Sequence, residues 1–203
     1  MNARKLLAVL CCALACALTL AACDGKPPTP KASFASTDIT GAAYGKALEL
    51  TDHTGKPRTL ADYRGKVVVV FFGYTHCPDV CPTTLAEMAQ IKKQLGPDGD
   101  KLQVLFVTLD PERDTQEALA GFVPAFDPSF VALRGDATQT QKAATDFKVF
   151  MQKVKAKDSE GYTIDHTAAT YVFDPEGRVR LFIRHGQDPA AVLNDIRQLI
   201  AGA

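Results

Sequence analysis

Residues 66–84 read "KVVVVFFGYTHCPDVCPTT", an apolar run followed at once by two cysteines. The run at 66–73 is continuous in β-branched and aromatic residues, which is typical of a strand buried on both faces of a sheet. Pro82 suits the first turn of a helix. Apolar side chains then recur at helical spacing, at Leu85, Met88, Ile91 and Leu95. The stretch predicts a buried strand, a loop that holds the two cysteines, and a helix.

Strands and helices alternate along the rest of the chain. Further strands are predicted in a hairpin at 46–60, at 102–110, and in a second hairpin at 169–185. Further helices are predicted at 115–125, 137–148 and 188–202. This order gives an α/β fold, a central sheet with flanking helices on both faces. With cysteines directly after the first long strand, the arrangement is thioredoxin-like, plus an N-terminal hairpin and an inserted segment at 111–157.

The N-terminal residues resemble a bacterial lipoprotein signal. A short cationic start precedes "LLAVLCCALACALTL" at 6–20, whose 15 residues are fewer than the roughly 20 that a membrane-spanning helix needs. The segment ends in "LAAC", which resembles a lipobox, and we expect cleavage after residue 22 and lipid on Cys23. The alternative is an ordinary secretory signal cleaved nearby. A polar linker rich in Pro, Ser and Thr completes 23–40, and one domain is predicted at 41–203.

Cleavage changes the cysteine count and the charge. Of six cysteines, three leave with the signal and Cys23 carries lipid, so only Cys77 and Cys81 remain as thiols. Loss of Arg4 and Lys5 from 23 basic residues leaves 21 against 23 acidic ones, a net charge of −2. No cationic field attracts nucleic acid.

The spacing of Cys77 and Cys81 leaves three roles open: a redox pair, a pair of metal ligands or a structural disulfide. On one helical face their Cβ atoms would lie roughly 5–6 Å apart, whereas a disulfide requires a Cβ–Cβ distance of about 3.5–4.5 Å. Two metal–sulfur bonds of about 2.3 Å span that gap easily. A helix N-terminus also favours thiolates. The spacing favours a metal and keeps redox chemistry open.

His166, in "YTIDHTAATYVF", is the outstanding candidate for a third ligand. In a thioredoxin-like fold, the loop that enters the strand at 169–174 faces the cysteine pair and normally carries a cis-proline. No proline occurs between Pro128 and Pro175 in this chain. Two thiolates and one imidazole suit three-coordinate Cu(I), and can hold Cu(II) with a further ligand.

Three segments together resemble the Sco/SenC family: "GYTHCPDVCPTTL", "TLDPERDT" and "IDHTAATYVFDPEGRV". The likeness covers roughly 46–200 and includes the order and spacing of all three segments. The family's proteins are membrane-tethered, thioredoxin-fold copper proteins that help to metallate the dinuclear copper (CuA) centre of cytochrome c oxidase. By motif, the resemblance implies that Cys77, Cys81 and His166 are the copper ligands.

The resemblance implies a copper chaperone, not an enzyme in the strict sense. Its expected partner is the oxidase subunit that carries CuA, with other periplasmic copper carriers or thiol reductants as further partners. The lipid on Cys23 would hold it at the periplasmic face of the bacterial membrane, and Asp24 hints at the inner membrane.

Three other functions use the same residues. The cysteine pair of a thiol–disulfide oxidoreductase would reduce the cysteines of an empty copper site. A copper- or redox-responsive signalling protein would need the same ligands. "VCPTT" prompts a comparison with peroxiredoxins, but Pro78 and Tyr74 stand where the threonine of their motif should be.

Other polar residues are expected to be structural or exposed. His76 should point away from the sulfurs, and His53 and His185 should lie on the surface. Asp79 fits a helix N-cap or a weak Cu(II) ligand, and Asp165 either orients His166 or faces solvent. In "TLDPERDT", residues 110–114 are expected to end a strand and cap the next helix.

Overall fold

The structure is a computed structural model that describes residues 33–155 and 161–203. The predicted signal segment, Cys23 and most of the linker lie outside the described residues. Within the described ranges, no helix has the length and apolar character needed to cross a membrane.

Strands and α-helices alternate in the described ranges, as the sequence predicts. The strands are β1 (Thr37–Asp38), β2 (Glu49–Asp52), β3 (Pro57–Thr59), β4 (Val67–Gly73), β5 (Leu102–Thr108), β6 (Val131–Arg134), β7 (Met151–Lys155), β8 (Tyr162–His166), β9 (Ala169–Phe173) and β10 (Val179–Arg184). The helices are α1 (Val80–Gln94), α2 (Gln116–Phe122), α3 (Ala137–Asp146) and α4 (Pro189–Ile200).

Eight strands form one mixed sheet in the order β1-β10-β9-β4-β5-β6-β2-β3. The strands β4, β5 and β6 are parallel neighbours, and the other pairs are antiparallel. Every residue of β4 and of β5 is buried, which confirms the prediction of strands covered on both faces. Parallel strands need crossover connections, and α1 and α2 supply them.

The alternating side chains of β4 divide the core between the two faces of the sheet. Val69 and Phe71 pack with α1, α2 and α4 on one face. Val70 and Phe72 pack on the other face with α3 and with Tyr171. Because both faces are covered, the thioredoxin-like α/β class is confirmed.

The two predicted additions to this sheet are partly integrated into it. The hairpin predicted at 46–60 is formed by β2 and β3, and it joins the sheet through pairing of β2 with β6. The segment 111–157 also contributes β6 to the central sheet.

The N-terminal boundary of the domain needs correction. The composition predicts a linker up to residue 40, but β1 pairs with β10 at the edge of the sheet. Asp195 of α4, only 1% exposed, accepts hydrogen bonds from the backbone N–H groups of Ala35 and Ser36. These long-range contacts fix a segment whose composition alone is typical of a linker, so residues 33–40 belong to the folded part.

A second, two-stranded sheet consists of β7 and β8, paired antiparallel with Met151 opposite His166. The sequence predicts neither strand, because His166 is expected in the loop that enters the strand at 169–174, whereas it ends β8. This β7–β8 hairpin carries His166 at the C-terminal end of β8, so its placement decides where the imidazole lies.

Candidate metal centre

The cysteine loop, residues 74–79, begins where β4 ends, and Gly73 is what allows Cys81 to lie against the strand. A Cβ atom at Gly73 would stand 2.7 Å from Cys81 Sγ and 2.9 Å from Phe106 Cε2. Such distances are far inside van der Waals contact, so any larger residue would displace the sulfur.

Buried Asp114, in the segment between β5 and α2, anchors the cysteine loop. Its carboxylate, fully buried, accepts hydrogen bonds from Thr75 N–H (3.0 Å), Thr75 Oγ1 (2.6 Å) and Thr108 Oγ1 (2.6 Å). The expectation that residues up to 114 cap the next helix is wrong for this residue, because Thr115 is the N-cap of α2 and accepts from Ala118 N–H. Asp114 instead ties the loop to β5.

The two cysteines are adjacent free thiols with different exposure. Cys77 is half-buried and Cys81 is completely buried. The helix α1 begins only at Val80, so Cys77 precedes it, and a turn from Tyr74 brings it beside Cys81. The backbone N–H of Cys81 donates to Cys77 Sγ over 3.4 Å.

Their surroundings push the two thiol pKa values apart. A hydrogen bond from the Cys81 thiol lowers the pKa of Cys77, outweighing burial, and further hydrogen bonds from the His166 ring and from backbone N–H groups act in the same direction. The same hydrogen bond and burial raise the pKa of Cys81. Cys77 is therefore the less buried, thiolate-forming member of the pair.

His166 lies next to both sulfurs. Its Nε2 is 3.9 Å from Cys81 Sγ, while its Nδ1 lies 3.1 Å from the carbonyl oxygen of Thr167. The Tyr74 ring stands edge-on to the imidazole, with ring centroids 6.1 Å apart, so Tyr74 borders the site. Asp165 is exposed, and the orientation of the ring comes from the carbonyl of Thr167 rather than from this carboxylate.

Three predicted ligands are thus neighbours, but they are not a finished ligand set. Within residues 33–155 and 161–203, no group of three or more His, Cys, Asp and Glu side chains is already arranged to hold a metal ion. The separation between Cys81 Sγ and His166 Nε2 is that of a weak thiol–imidazole contact.

Nearby polar residues are mostly structural. His76 and His185 are exposed, as predicted. His53 is half-buried rather than on the surface, because its Nδ1 accepts from Ala132 N–H where β2 meets β6. Asp79 occupies the N-cap position of α1 without a side-chain capping bond.

Arg113 and Tyr162 are the residues near the site that the sequence does not single out. Arg113 Nε donates to buried Asp110 (2.5 Å), and Tyr162 Oη donates to the same carboxylate (2.8 Å). Arg113 lies in the "DPERD" segment, but no local pattern connects it with a tyrosine 49 residues away.

Together, the fold and the site define a thioredoxin-like α/β protein with a cysteine pair at the end of a central strand and a histidine beside it. The family SCO1/SenC matches residues 36–201. The chain belongs to this family.

Individual relatives and solved structures agree with that assignment. The mouse mitochondrial "Protein SCO2 homolog" is 35% identical over 163 residues, 79% of this chain and 64% of its own length. Bradyrhizobium japonicum ScoI, solved with copper bound, is 39% identical with a TM-score of 0.70 and covers 77% of this chain and 99% of its own. Apo Sco1 from Thermus thermophilus is 36% identical with a TM-score of 0.73, covering 84% of this chain and 99% of its own. The matches span 53% to 64% of the length of the mitochondrial relatives from mouse, cattle and human.

Proposed function

We propose that this protein binds copper through Cys77, Cys81 and His166 and delivers it during assembly of cytochrome c oxidase. The proposal rests on the position of the His166 imidazole, whose Nε2 lies 3.9 Å from Cys81 Sγ and which also lies beside the thiol of Cys77. Similarity to a copper-bound ScoI supports the same assignment.

The distance between Cys81 Sγ and His166 Nε2 fits an ion held between the two atoms. With bonds of about 2.3 Å to sulfur and about 2.0 Å to nitrogen, the zinc values, a separation of 3.9 Å corresponds to a ligand–metal–ligand angle of roughly 130°. This angle is close to the 120° of trigonal coordination. Two soft thiolates with one imidazole favour Cu(I), and a further oxygen ligand would permit Cu(II).

Delivery needs a site that a partner can reach. Cys77 is half-buried while Cys81 is completely buried, so an incoming thiolate would meet the ion from the side of Cys77. The oxidase subunit that carries CuA is the proposed acceptor, on the strength of the family resemblance. Periplasmic copper carriers or thiol reductants are the proposed suppliers.

We also propose the lipoprotein form, with a signal at 1–22, a lipid on Cys23, and attachment to the periplasmic face of the inner membrane. Since residue 33 already belongs to the folded part, the tether is only 23–32. Ten residues at about 3.3–3.6 Å each reach at most about 35 Å. Such a tether keeps the site close to a membrane-bound acceptor.

Transfer from the full chain, purified in detergent, tests the proposal. The reduced protein is titrated anaerobically with Cu(I) against a chromophoric chelator and then mixed with the reduced oxidase subunit. We expect one tightly held copper and its movement to the subunit, with neither in Cys77→Ser. Wild-type protein that holds no copper against the chelator would contradict the copper proposal.

A second function, thiol–disulfide exchange, is favoured by the half-buried, thiolate-forming Cys77 next to a second free thiol. The two thiols would give two electrons and two protons to a disulfide in the empty copper site, forming a Cys77–Cys81 disulfide. Mixing the reduced, copper-free chain with the oxidised subunit and counting the free thiols of each protein separately tests it. Two thiols gained by the subunit and two lost by the chain support this role, and unchanged counts on both proteins exclude it.

A further inference from the structure

The β7–β8 hairpin forms a sheet of its own, and the buried side chain of Ile164 packs it into the core cluster that contains Phe72. Polar contacts add to this packing. One is the backbone N–H of Ile164, which donates to Tyr74 Oη over 3.3 Å. The others connect β7 and β8 with residues 110–113, the segment that follows β5.

Arg113 is the centre of this connection. Its Nε donates to Asp110, which is completely buried, and its Nη1 donates to the carbonyl oxygen of Tyr162 over 2.9 Å. The guanidinium carbon lies 3.8 Å from the centroid of the Tyr162 ring. One planar group therefore binds a core carboxylate, the hairpin backbone and an aromatic face together, which a lysine ammonium cannot do.

The hydroxyl of Tyr162 donates to the same Asp110 carboxylate that Arg113 contacts, over 2.8 Å, so each of the three residues contacts the other two. Lys153 of β7 adds an ion pair with Glu112 over 2.6 Å, but both groups are largely exposed and contribute little. We call Asp110, Arg113 and Tyr162 the clamp.

One member of the clamp, Tyr162, lies on the same strand as the imidazole. Tyr162 and His166 are the two ends of β8, four residues apart, which is about 13 Å along a strand. A short strand moves as a unit, so a shift of Tyr162 would move His166 by a similar distance. A change of about 1 Å would place Nε2 outside bonding range of an ion held by the two sulfurs.

From this geometry we infer that Arg113 is a positioning residue, which fixes the β7–β8 hairpin so that His166 meets the cysteine pair. The inference rests on the proposed copper function. It assigns to the "DPERD" segment a role in the site that a helix cap would not have.

Arg113→Lys tests the clamp, and Arg58→Lys is the matched control. Arg58 Nε binds buried Asp52 over 2.7 Å in the β2–β3 hairpin, and the two arginine side chains are similarly exposed, 31% for Arg58 and 26% for Arg113. In full-length protein in detergent, we expect Arg113→Lys to lower Cu(I) affinity by about 10- to 100-fold, the usual effect of losing a group that orients a ligand. Arg58→Lys should leave the affinity unchanged.

The same substitution in a His166→Ala background separates positioning from a general effect. If Arg113 acts through His166, Arg113→Lys should have no further effect on affinity once the imidazole is gone. The inference would be overturned if Arg113→Lys lowered Cu(I) affinity equally in the wild-type and His166→Ala backgrounds, or did not lower it in the wild-type background. If Arg113→Lys does not fold, Tyr162→Phe replaces it in the same comparison, because it keeps the ring and loses the hydroxyl.

A measurement without copper keeps this inference separate from the proposed function. In the reduced apo-protein, NMR contacts between the Tyr74 and His166 rings should be present in wild type and in Arg58→Lys and weaken in Arg113→Lys. Unchanged contacts in Arg113→Lys would overturn the clamp even if wild type binds copper. Absence of copper binding with weakened contacts would refute the copper proposal and leave the clamp standing.

Discussion

The cysteine loop and the β7–β8 hairpin bring their proposed ligand side chains close together by different means. The loop follows β4 directly. Gly73 lets the buried Cys81 pack against the strand, and the buried carboxylate of Asp114 binds the loop at Thr75. The hairpin belongs to a separate sheet, and it is held by one buried side chain, Ile164, and by polar contacts with residues 110–113.

This difference separates stability from metal chemistry. The sulfurs are placed by the core, so a change that moves them should also destabilise the fold. The imidazole is placed by a peripheral element, so its loss should change copper binding with little effect on folding. Under the proposed copper function, His166 could then release the ion while the two cysteines stay in position.

The largest effect is expected from Cys77→Ser. A hydroxyl is a poor ligand for Cu(I), so the chain should retain no copper against a chromophoric chelator. Because Cys77 is only half-buried, the free energy of unfolding should change by less than about 1 kcal/mol. Retained copper would show that Cys77 is not a ligand.

His166→Ala should weaken Cu(I) binding by about 100-fold or more, at least as much as loss of an orienting group. The free energy of unfolding should change by less than about 1 kcal/mol, because the hairpin lies outside the central sheet. The control is His185→Ala, an exposed residue after β10, which should alter neither quantity. A large destabilisation by His166→Ala would break the contrast between the two regions.

Asp114→Ala should show the opposite behaviour, with stability and copper binding lost together. It leaves two hydroxyls and the backbone N–H of Thr75 without their acceptor, at a cost of about 3 kcal/mol or more in chemical unfolding. Asp127→Ala removes two hydrogen bonds from Ser129 at the surface and should cost far less. Equal costs for the two variants would mean that Asp114 does not anchor the loop.

Gly73→Ala tests the contact between the strand and the buried sulfur. The new methyl would meet Cys81 Sγ at 2.7 Å, so we expect about 1–3 kcal/mol of destabilisation from overpacking and a weaker copper site. Gly121→Ala, in α2 with open space around the added carbon, should not destabilise the chain. Unfolding curves that coincide with wild type for Gly73→Ala would refute this contact.

The parts of the fold that could be predicted are those with strong local patterns. The apolar runs of β4 and β5 and the helical spacing in α1 are read directly from the sequence, and the structure confirms them. The sequence also identifies the three side chains that the fold brings together.

What could not be predicted depends on contacts between distant residues. The strand β7, "MQKVK", has mostly exposed or half-exposed side chains and lacks an apolar alternation. The segment 33–40 has the composition of a linker but is fixed by Asp195, about 160 residues away. No local sequence pattern predicts the clamp either, because Arg113 and Tyr162 are 49 residues apart.

X-ray absorption at the copper edge, on the full chain loaded anaerobically with Cu(I), tests whether Cys77, Cys81 and His166 hold the metal. We expect two sulfur ligands and one imidazole nitrogen in wild type, with the imidazole signal lost in His166→Ala. A wild-type spectrum without imidazole scattering, or one that His166→Ala leaves unchanged, would contradict this ligand set.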